Sequence, residues 1–175
     1  MTFVQRFLGA VLFKSATYRY VASNSDLNLE SFLIVVTVSF ANSFAYTLLN
    51  GVSWQSVSLL FLPIILGWVV LSWLSTWIAN KLFKVKVSFA NILRARGYTH
   101  LFSILIIVST ILGNNKVGLI ASYLVTGISF AADVLSVREA SETSTSNAFA
   151  ILFISTMAMG VLLLPLVIFQ FALRH

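Results

Sequence analysis

Residues 148–173 read AFAILFISTMAMGVLLLPLVIFQFAL and contain no charged side chain. A helix of about 20 apolar residues is long enough to cross the hydrocarbon core of a bilayer. Such a run, uninterrupted by charge, has no water-facing side and cannot belong to the surface of a soluble domain. It therefore predicts a membrane-spanning helix.

Four earlier runs have the same character, and they cover residues 29–49, 56–79, 98–112 and 117–136. The run 98–112 is short for a span, so we expect it to draw on residues before Tyr98. With the last run, they predict an all-α membrane protein with a bundle of about five transmembrane helices. Nothing in residues 1–175 indicates a second domain.

The composition supports lipid as the main solvent of this chain. Hydrophobic residues make up 59% of it and charged residues only 9%, against about a quarter in soluble domains. The chain contains no cysteine, which excludes disulfides, thiolate metal sites and a cysteine nucleophile.

Residues 1–22 are too short and too charged to span a membrane. Large apolar side chains recur there at helical spacing among basic ones: Phe3, Phe7, Val11 and Leu12, with Arg6, Lys14 and Arg19. This pattern predicts an N-terminal amphipathic helix that lies in the membrane interface.

The distribution of lysine and arginine predicts the orientation. Nine basic residues fall on the side of the N-terminus, and only Lys116 and Arg174 fall on the other. Because cytoplasmic loops carry the excess of positive charge, the N-terminus is expected in the cytoplasm and the C-terminus outside. The nine residues are Arg6, Lys14, Arg19, Lys81, Lys84, Lys86, Arg94, Arg96 and Arg138.

The link between the second and third runs, residues 80–97, is the most basic segment. We expect a short surface helix there, and we expect its basic side chains to face anionic lipid head groups or an acidic partner. Those side chains are Lys81, Lys84, Lys86, Arg94 and Arg96. Nucleic-acid binding is not expected, because the basic residues adjoin spans and form no groove-binding module.

A stripe of small and polar residues follows one face of the predicted fourth helix. It consists of Gly118, Ser122, Thr126, Ser129, Asp133 and Ser136. Such stripes commonly let membrane helices pack closely, and the alternative is a pathway for an ion or small solute. For Asp133, we expect a pairing with Arg138 or with the 80–97 link; a cation or proton site and a partner contact are the alternatives.

The sequence indicates no catalytic site, cofactor site or metal site. It has no nucleophile elbow, phosphate-binding loop or dinucleotide fingerprint, and His100 has no metal-ligand partner at helical spacing. Glu139 and Glu142 lie beside Arg138 and are interpreted as a solvated charge cluster.

Several short motifs resemble the Yip (Ypt/Rab-interacting protein) family of multi-span membrane proteins, especially its prokaryotic members. They are WLSTWIANKLF at residues 73–83, VSF at 87–89 and LRARGY at 93–98, which contains the family-like Gly97 and Tyr98. The opening FLGAVLF at 7–13 and the stretch 131–148 are also similar.

The resemblance implies a five-span bundle, a cytoplasmic N-terminus, a prokaryotic cytoplasmic membrane and no enzyme activity. The chain departs from the family in having no proline soon after Gly97-Tyr98 and no Asp-Leu-Tyr-Gly-Pro motif. The Rab-binding role of eukaryotic members is therefore not carried over.

Together these features predict a non-catalytic membrane organiser or adaptor, or a small subunit of a membrane complex. It is expected to act through lipids and through a membrane protein partner or a second copy of itself. The alternative is a small transporter or channel that uses the polar stripe around Asp133.

Overall fold

The computed structural model describes residues 1–51, 55–113 and 116–172. It describes the side chains of these ranges except at residues 50, 55–56, 58–60 and 165–172. Over these ranges the chain is helical and contains no strand. The helices are α1 Phe3–Val11, α2 Ser15–Ser23, α3 Asn28–Asn50, α4 Gln55–Lys81, α5 Phe89–Ser103, α6 Leu105–Leu112, α7 Lys116–Ser141 and α8 Thr145–Ala172. Arg174 and the last residue of the predicted span 148–173 lie outside the described residues.

Five helical segments are long and apolar enough to cross a membrane, which confirms the predicted all-α bundle. They are Ser25–Leu49, Phe61–Lys81, Phe89–Leu112, Lys116–Ser141 and Thr145–Leu164. The third segment begins at Phe89, which confirms the expectation that it draws on residues before Tyr98. The fourth continues to Ser141 rather than ending at residue 136.

The early start of the third span has a local cause. The Ser88 hydroxyl accepts a hydrogen bond from the backbone N–H of Asn91 at 3.2 Å, which caps α5 at its N-terminus. Residues 89–97 are therefore the first turns of a spanning segment. The prediction of a separate surface helix in the 80–97 link is wrong.

The third span is interrupted at Ile104, between α5 and α6. The Asn42 side-chain amide of α3 donates to the backbone carbonyl of Ser103 at 3.0 Å. A carbonyl beside a helix break needs such a partner, because lipid offers no hydrogen bonds. Helix α3 thus supplies a hydrogen-bond donor to a carbonyl at the interruption.

The arm of residues 1–22 forms two helices rather than one. Helix α1 ends where Phe13 takes a left-handed backbone conformation (φ 55°), and α2 turns back to pack against α5 and α7. Tyr18 and Val21 of α2 are fully buried. Only α1 has the exposed apolar face expected of an interfacial helix. Val4 and Leu8 on this helix, and Leu12 directly after it, are all more than half exposed.

The buried apolar core is concentrated at the end of the bundle where α2 packs. One cluster joins α2 to α4, α5, α7 and α8 through Ala22, Ile78, Val87, Val137 and Ile151, among others. A second joins α1 and α2 to α3 and α5 through Ala10, Tyr18, Val21, Ile34 and Tyr98, among others. The distal lengths of the helices expose apolar side chains instead, as suits contact with lipid.

Helices α3 and α5 approach closely at Gly97. A β-carbon added to Gly97 would lie 2.8 Å from the β-carbon of Ser31 and 3.1 Å from its carbonyl oxygen. Small residues allow such contacts between membrane helices, where van der Waals packing drives association. The absence of a side chain at Gly97 therefore allows α3 and α5 to pack closely in this fold.

Gly97→Ala is expected to lower the free energy of unfolding by about 1–3 kcal/mol, because overpacking forces α3 and α5 apart. Gly127→Ala is the matched control, since a β-carbon there has no neighbour within 4 Å. Thermal unfolding of the purified protein in detergent compares the two. Equal midpoints would contradict the close α3–α5 contact.

Candidate functional site: the charged end of the bundle

Two of the four ion pairs among the described residues tie the N-terminal helices to the spans, and all four use an arginine. Across the described residues they are Arg6–Glu30, Arg19–Glu139, Arg138–Glu139 and Arg96–Asp133. Arginine suits this role because its planar guanidinium donates several hydrogen bonds in fixed directions.

Arg6 holds α1 against the bundle. Its Nε lies 2.9 Å from Glu30 Oε1 and 3.0 Å from the hydroxyl of Tyr98, so α1, α3 and α5 meet at one guanidinium. The hydrogen bond to Glu30 raises the pKa of Arg6, against the opposing effect of burial. The second family-like residue, Tyr98, is fully buried and serves as an acceptor in this contact.

Asp133 of α7 is bonded on both carboxylate oxygens. Arg96 Nη2 donates to Oδ2 at 3.1 Å, and the Thr99 hydroxyl donates to Oδ1 at 2.6 Å. The expected pairing of Asp133 with the 80–97 link is thus observed, through Arg96 rather than through Arg138. The opposite charges meet between α5 and α7, where the cost of burying each alone would be high.

Tyr18 of α2 is buried beside this pair. Its hydroxyl donates to the Ala10 carbonyl at 3.3 Å. Burial raises the pKa of Tyr18, and the negative charge of Asp133 raises it further. The phenol is therefore neutral and acts as a hydrogen-bond donor.

Glu139 is buried, so its assignment to a solvated cluster is wrong. Helix α7 continues to Ser141 and brings Glu139 against α2, where it accepts from Arg19 Nη2 at 2.8 Å and from Arg138 Nε at 2.9 Å. Arg138 also donates to the Ser15 hydroxyl at 2.6 Å. Glu142 alone is exposed, as expected of a solvated residue.

Arg94 is buried without a carboxylate partner in the described part of the chain. Its guanidinium donates to the carbonyls of Val21 and Ala22, in the last turn of α2, and to the amide oxygens of Asn28 and Asn91. The C-terminus of a helix carries partial negative charge, which compensates the cation.

The predicted basic link therefore divides into two groups. Arg94 and Arg96 are 5% and 6% exposed, which corrects the expectation that they face lipid or a partner. Because both residues lie in α5, their side chains point into the bundle. Lys81, Lys84 and Lys86 are exposed.

The three lysines lie on an ordered segment. The Asn80 side chain donates to the Val87 carbonyl at 2.9 Å and accepts from the Val87 N–H at 3.2 Å. Between them the chain alternates, with Lys84 and Lys86 outward and Val85 packed on the core. This exposed segment, with Lys81, Lys84 and Lys86, is called the lysine edge below.

The polar stripe of α7 has two environments. Ser129, Asp133 and Ser136 point inward near the charged end, whereas Ser122 and Thr126 are exposed. A cavity of about 360 Å³ between α3, α6 and α7 is lined by Ser122 but does not include Asp133. The stripe is continuous along α7, but its neighbours change from α2 and α5 to α6.

No group of three or more metal-ligating side chains occurs within residues 1–51, 55–113 and 116–172. His100 packs edge-to-face on Trp68, with ring centres 6.4 Å apart. The charged end of the bundle is a network of ion pairs and hydrogen bonds.

Sequence analysis did not single out two contributors, Glu30 and Asn80. Glu30 is the one charged residue in the run 29–49, and a charge in a span calls for a partner. That signal was available in the sequence. Asn80 gave no such signal, because its side chain bonds to the backbone of Val87.

Removing one member of the Arg96–Asp133 pair should be costly. Asp133→Asn or Arg96→Met is expected to lower the free energy of unfolding by about 3 kcal/mol, because the remaining charge is buried alone. The double variant should lose less than the sum of the two.

The measurement is unfolding in mixed detergent micelles, and Asp26→Asn is the exposed control, expected within about 0.5 kcal/mol of wild type. Additive losses in the double variant would contradict the pairing.

Comparison with protein-family models, curated proteins and solved structures finds no match to this chain. The resemblance to the Yip family therefore rests on the short motifs alone.

Proposed function

We propose that this chain is a non-catalytic membrane organiser or adaptor, or a small subunit of a membrane complex. The observation that carries the proposal is the division of basic residues at one end of the bundle. Arginines bind the helices to one another, and the lysine edge remains exposed on an ordered backbone.

An ordered cationic edge suits recognition of acidic groups. The side chains of Lys81, Lys84 and Lys86 form no ion pair with any described residue, so their charge is available to a partner. The Asn80 hydrogen bonds fix the backbone before a partner arrives, which lowers the entropic cost of binding.

The orientation belongs to the same proposal. The lysine edge lies on the side with nine of the eleven basic residues, and this bias supports a cytoplasmic location for that side. The N-terminus is then cytoplasmic and the C-terminus outside. The motifs similar to prokaryotic Yip members favour a prokaryotic cytoplasmic membrane.

The exposed apolar surface supports a membrane protein partner or a second copy of the chain. Tyr123 of α7 is 76% exposed, and Thr126 and Gly127 beside it are exposed too. Small and hydroxylated residues allow close approach of another membrane helix.

The transporter hypothesis requires the Asp133 carboxylate to be open to a solute. Arg96 and Thr99 bond both of its oxygens, and the cavity between α3, α6 and α7, whose α7 lining ends at Ser122, does not include it. These contacts favour a packing role for the charged part of the stripe, which is why the organiser is preferred.

The proposal predicts that partner recovery depends on the lysine edge. Wild type, Lys81→Gln/Lys84→Gln/Lys86→Gln and Lys116→Gln are purified from native membranes in gentle detergent, and co-purifying proteins are identified by mass spectrometry. Because each surface charge contributes about 1 kcal/mol, loss of all three should weaken partner binding on the order of a hundredfold, and the triple variant should recover little or no partner.

Lys116→Gln is the matched control, because Lys116 is exposed at the other end of the bundle. It should recover the partner as wild type does. Recovery by the triple variant equal to that of Lys116→Gln would contradict the proposal.

A further inference from the structure

Helix α4 carries an exposed stripe that ends at the lysine edge. Trp73 and Trp77 are 54% and 49% exposed, and Lys81 is the next residue at the same spacing of four. Residues four apart lie on the same face of a helix, so the two indoles and the ammonium group lie along one line. The spanning segment ends at Lys81, which places the ammonium group at the membrane boundary.

Lys84 and Lys86 extend this charge beyond the helix. Phe83, Val85 and Val87 pack toward the core, and the alternation leaves both lysines outward. Asn80 fixes this register through its two hydrogen bonds with Val87. Three ammonium groups are thereby presented at the end of an aromatic stripe.

No described carboxylate forms an ion pair with these lysines. Glu30, Asp133 and Glu139 are each bonded to an arginine. Lysine is a compact, strongly hydrated charge that suits a phosphate at the water boundary. Exposed tryptophans are typical of the same level of the membrane, where their rings contact head groups and upper acyl chains.

We propose that the stripe Trp73, Trp77 and Lys81, together with Lys84 and Lys86, binds an anionic phospholipid, with the acyl chain along the indoles and the phosphate on the lysines. This inference rests on the proposed function, whose acidic ligand it specifies. An acidic protein is the other candidate, but the tryptophan stripe, which lies within the spanning segment, favours a lipid.

The test uses Trp77 as the reporter. The full chain is reconstituted in phosphatidylcholine vesicles that contain a minor fraction of phosphatidylglycerol brominated on its acyl chains. A parallel sample contains the same fraction of brominated phosphatidylcholine. Quenching that is present in wild type and lost in Trp77→Phe belongs to Trp77.

Brominated phosphatidylglycerol should quench Trp77 more than brominated phosphatidylcholine does. This preference for phosphatidylglycerol should fall about fivefold in Lys81→Gln, because each lysine near the membrane surface contributes about a fivefold effect. It should be lost in the triple lysine variant. Asn80→Ala should weaken the preference with all three charges retained, which a purely diffuse attraction would not show. Lys116→Gln should leave it unchanged.

Equal quenching by both lipids in wild type would overturn the inference, as would a loss in Lys116→Gln equal to that in the triple variant. If the lipid preference is absent but partner recovery depends on the lysines, the edge binds a protein and the proposed function stands. If the lipid preference is present but partner recovery is independent of the lysines, the lipid site stands and the proposed function fails.

Discussion

A charge placed among membrane-spanning helices must be paired with an opposite charge or satisfied by hydrogen bonds, and this constraint explains the organisation of the molecule. Glu30, Asp133 and Glu139 each lie in a spanning segment, and each is bonded to an arginine. Two of those arginines, Arg6 and Arg19, come from the N-terminal helices. The pairing therefore fixes α1 and α2 against the spans while it stabilises the buried carboxylates.

The same constraint separates arginine from lysine. Arg94 and Arg96 are enclosed because the guanidinium can satisfy carbonyls and carboxylates in several directions at once. Lys81, Lys84 and Lys86 stay exposed, where water can solvate the ammonium group. From the sequence alone, the excess of positive charge predicts only the orientation of the chain in the membrane. In the structure the arginines hold the helices together, and the lysines form an exposed edge. The apolar residues of α1 lie outward at the same end, where an interfacial helix contacts lipid.

Much of the fold follows from the sequence because the hydrocarbon core imposes a minimum length of apolar helix. The five runs correspond to five spans for that reason. The length of the run 98–112 indicated an earlier start, but the exact boundaries at Phe89 and Ser141 could not be read from hydropathy. Charged Arg94, Arg96 and Glu139 lie within these helices and are compensated by partners that include residues far along the chain. Asp133 could be expected to pair, since it was the one carboxylate in its stripe. Arg94 could not be placed, because its acceptors include two backbone carbonyls of α2. Hydrogen bonds from a side chain to the backbone leave no pattern in the sequence, and Asn80 is a second example.

Arg94 and Arg96 lie inside this end of the bundle, and Lys81, Lys84 and Lys86 lie outside it. Chemical labelling in native membranes tests this arrangement most directly, with an arginine reagent and a lysine reagent applied separately and the modified residues identified by mass spectrometry. Arg19, whose side chain is 64% exposed, provides the reference for an accessible arginine. The account predicts that Lys81, Lys84 and Lys86 react readily, and that Arg94 and Arg96 react far more slowly than Arg19. Modification of Arg94 and Arg96 at the rate of Arg19, with the protein still folded, would contradict it.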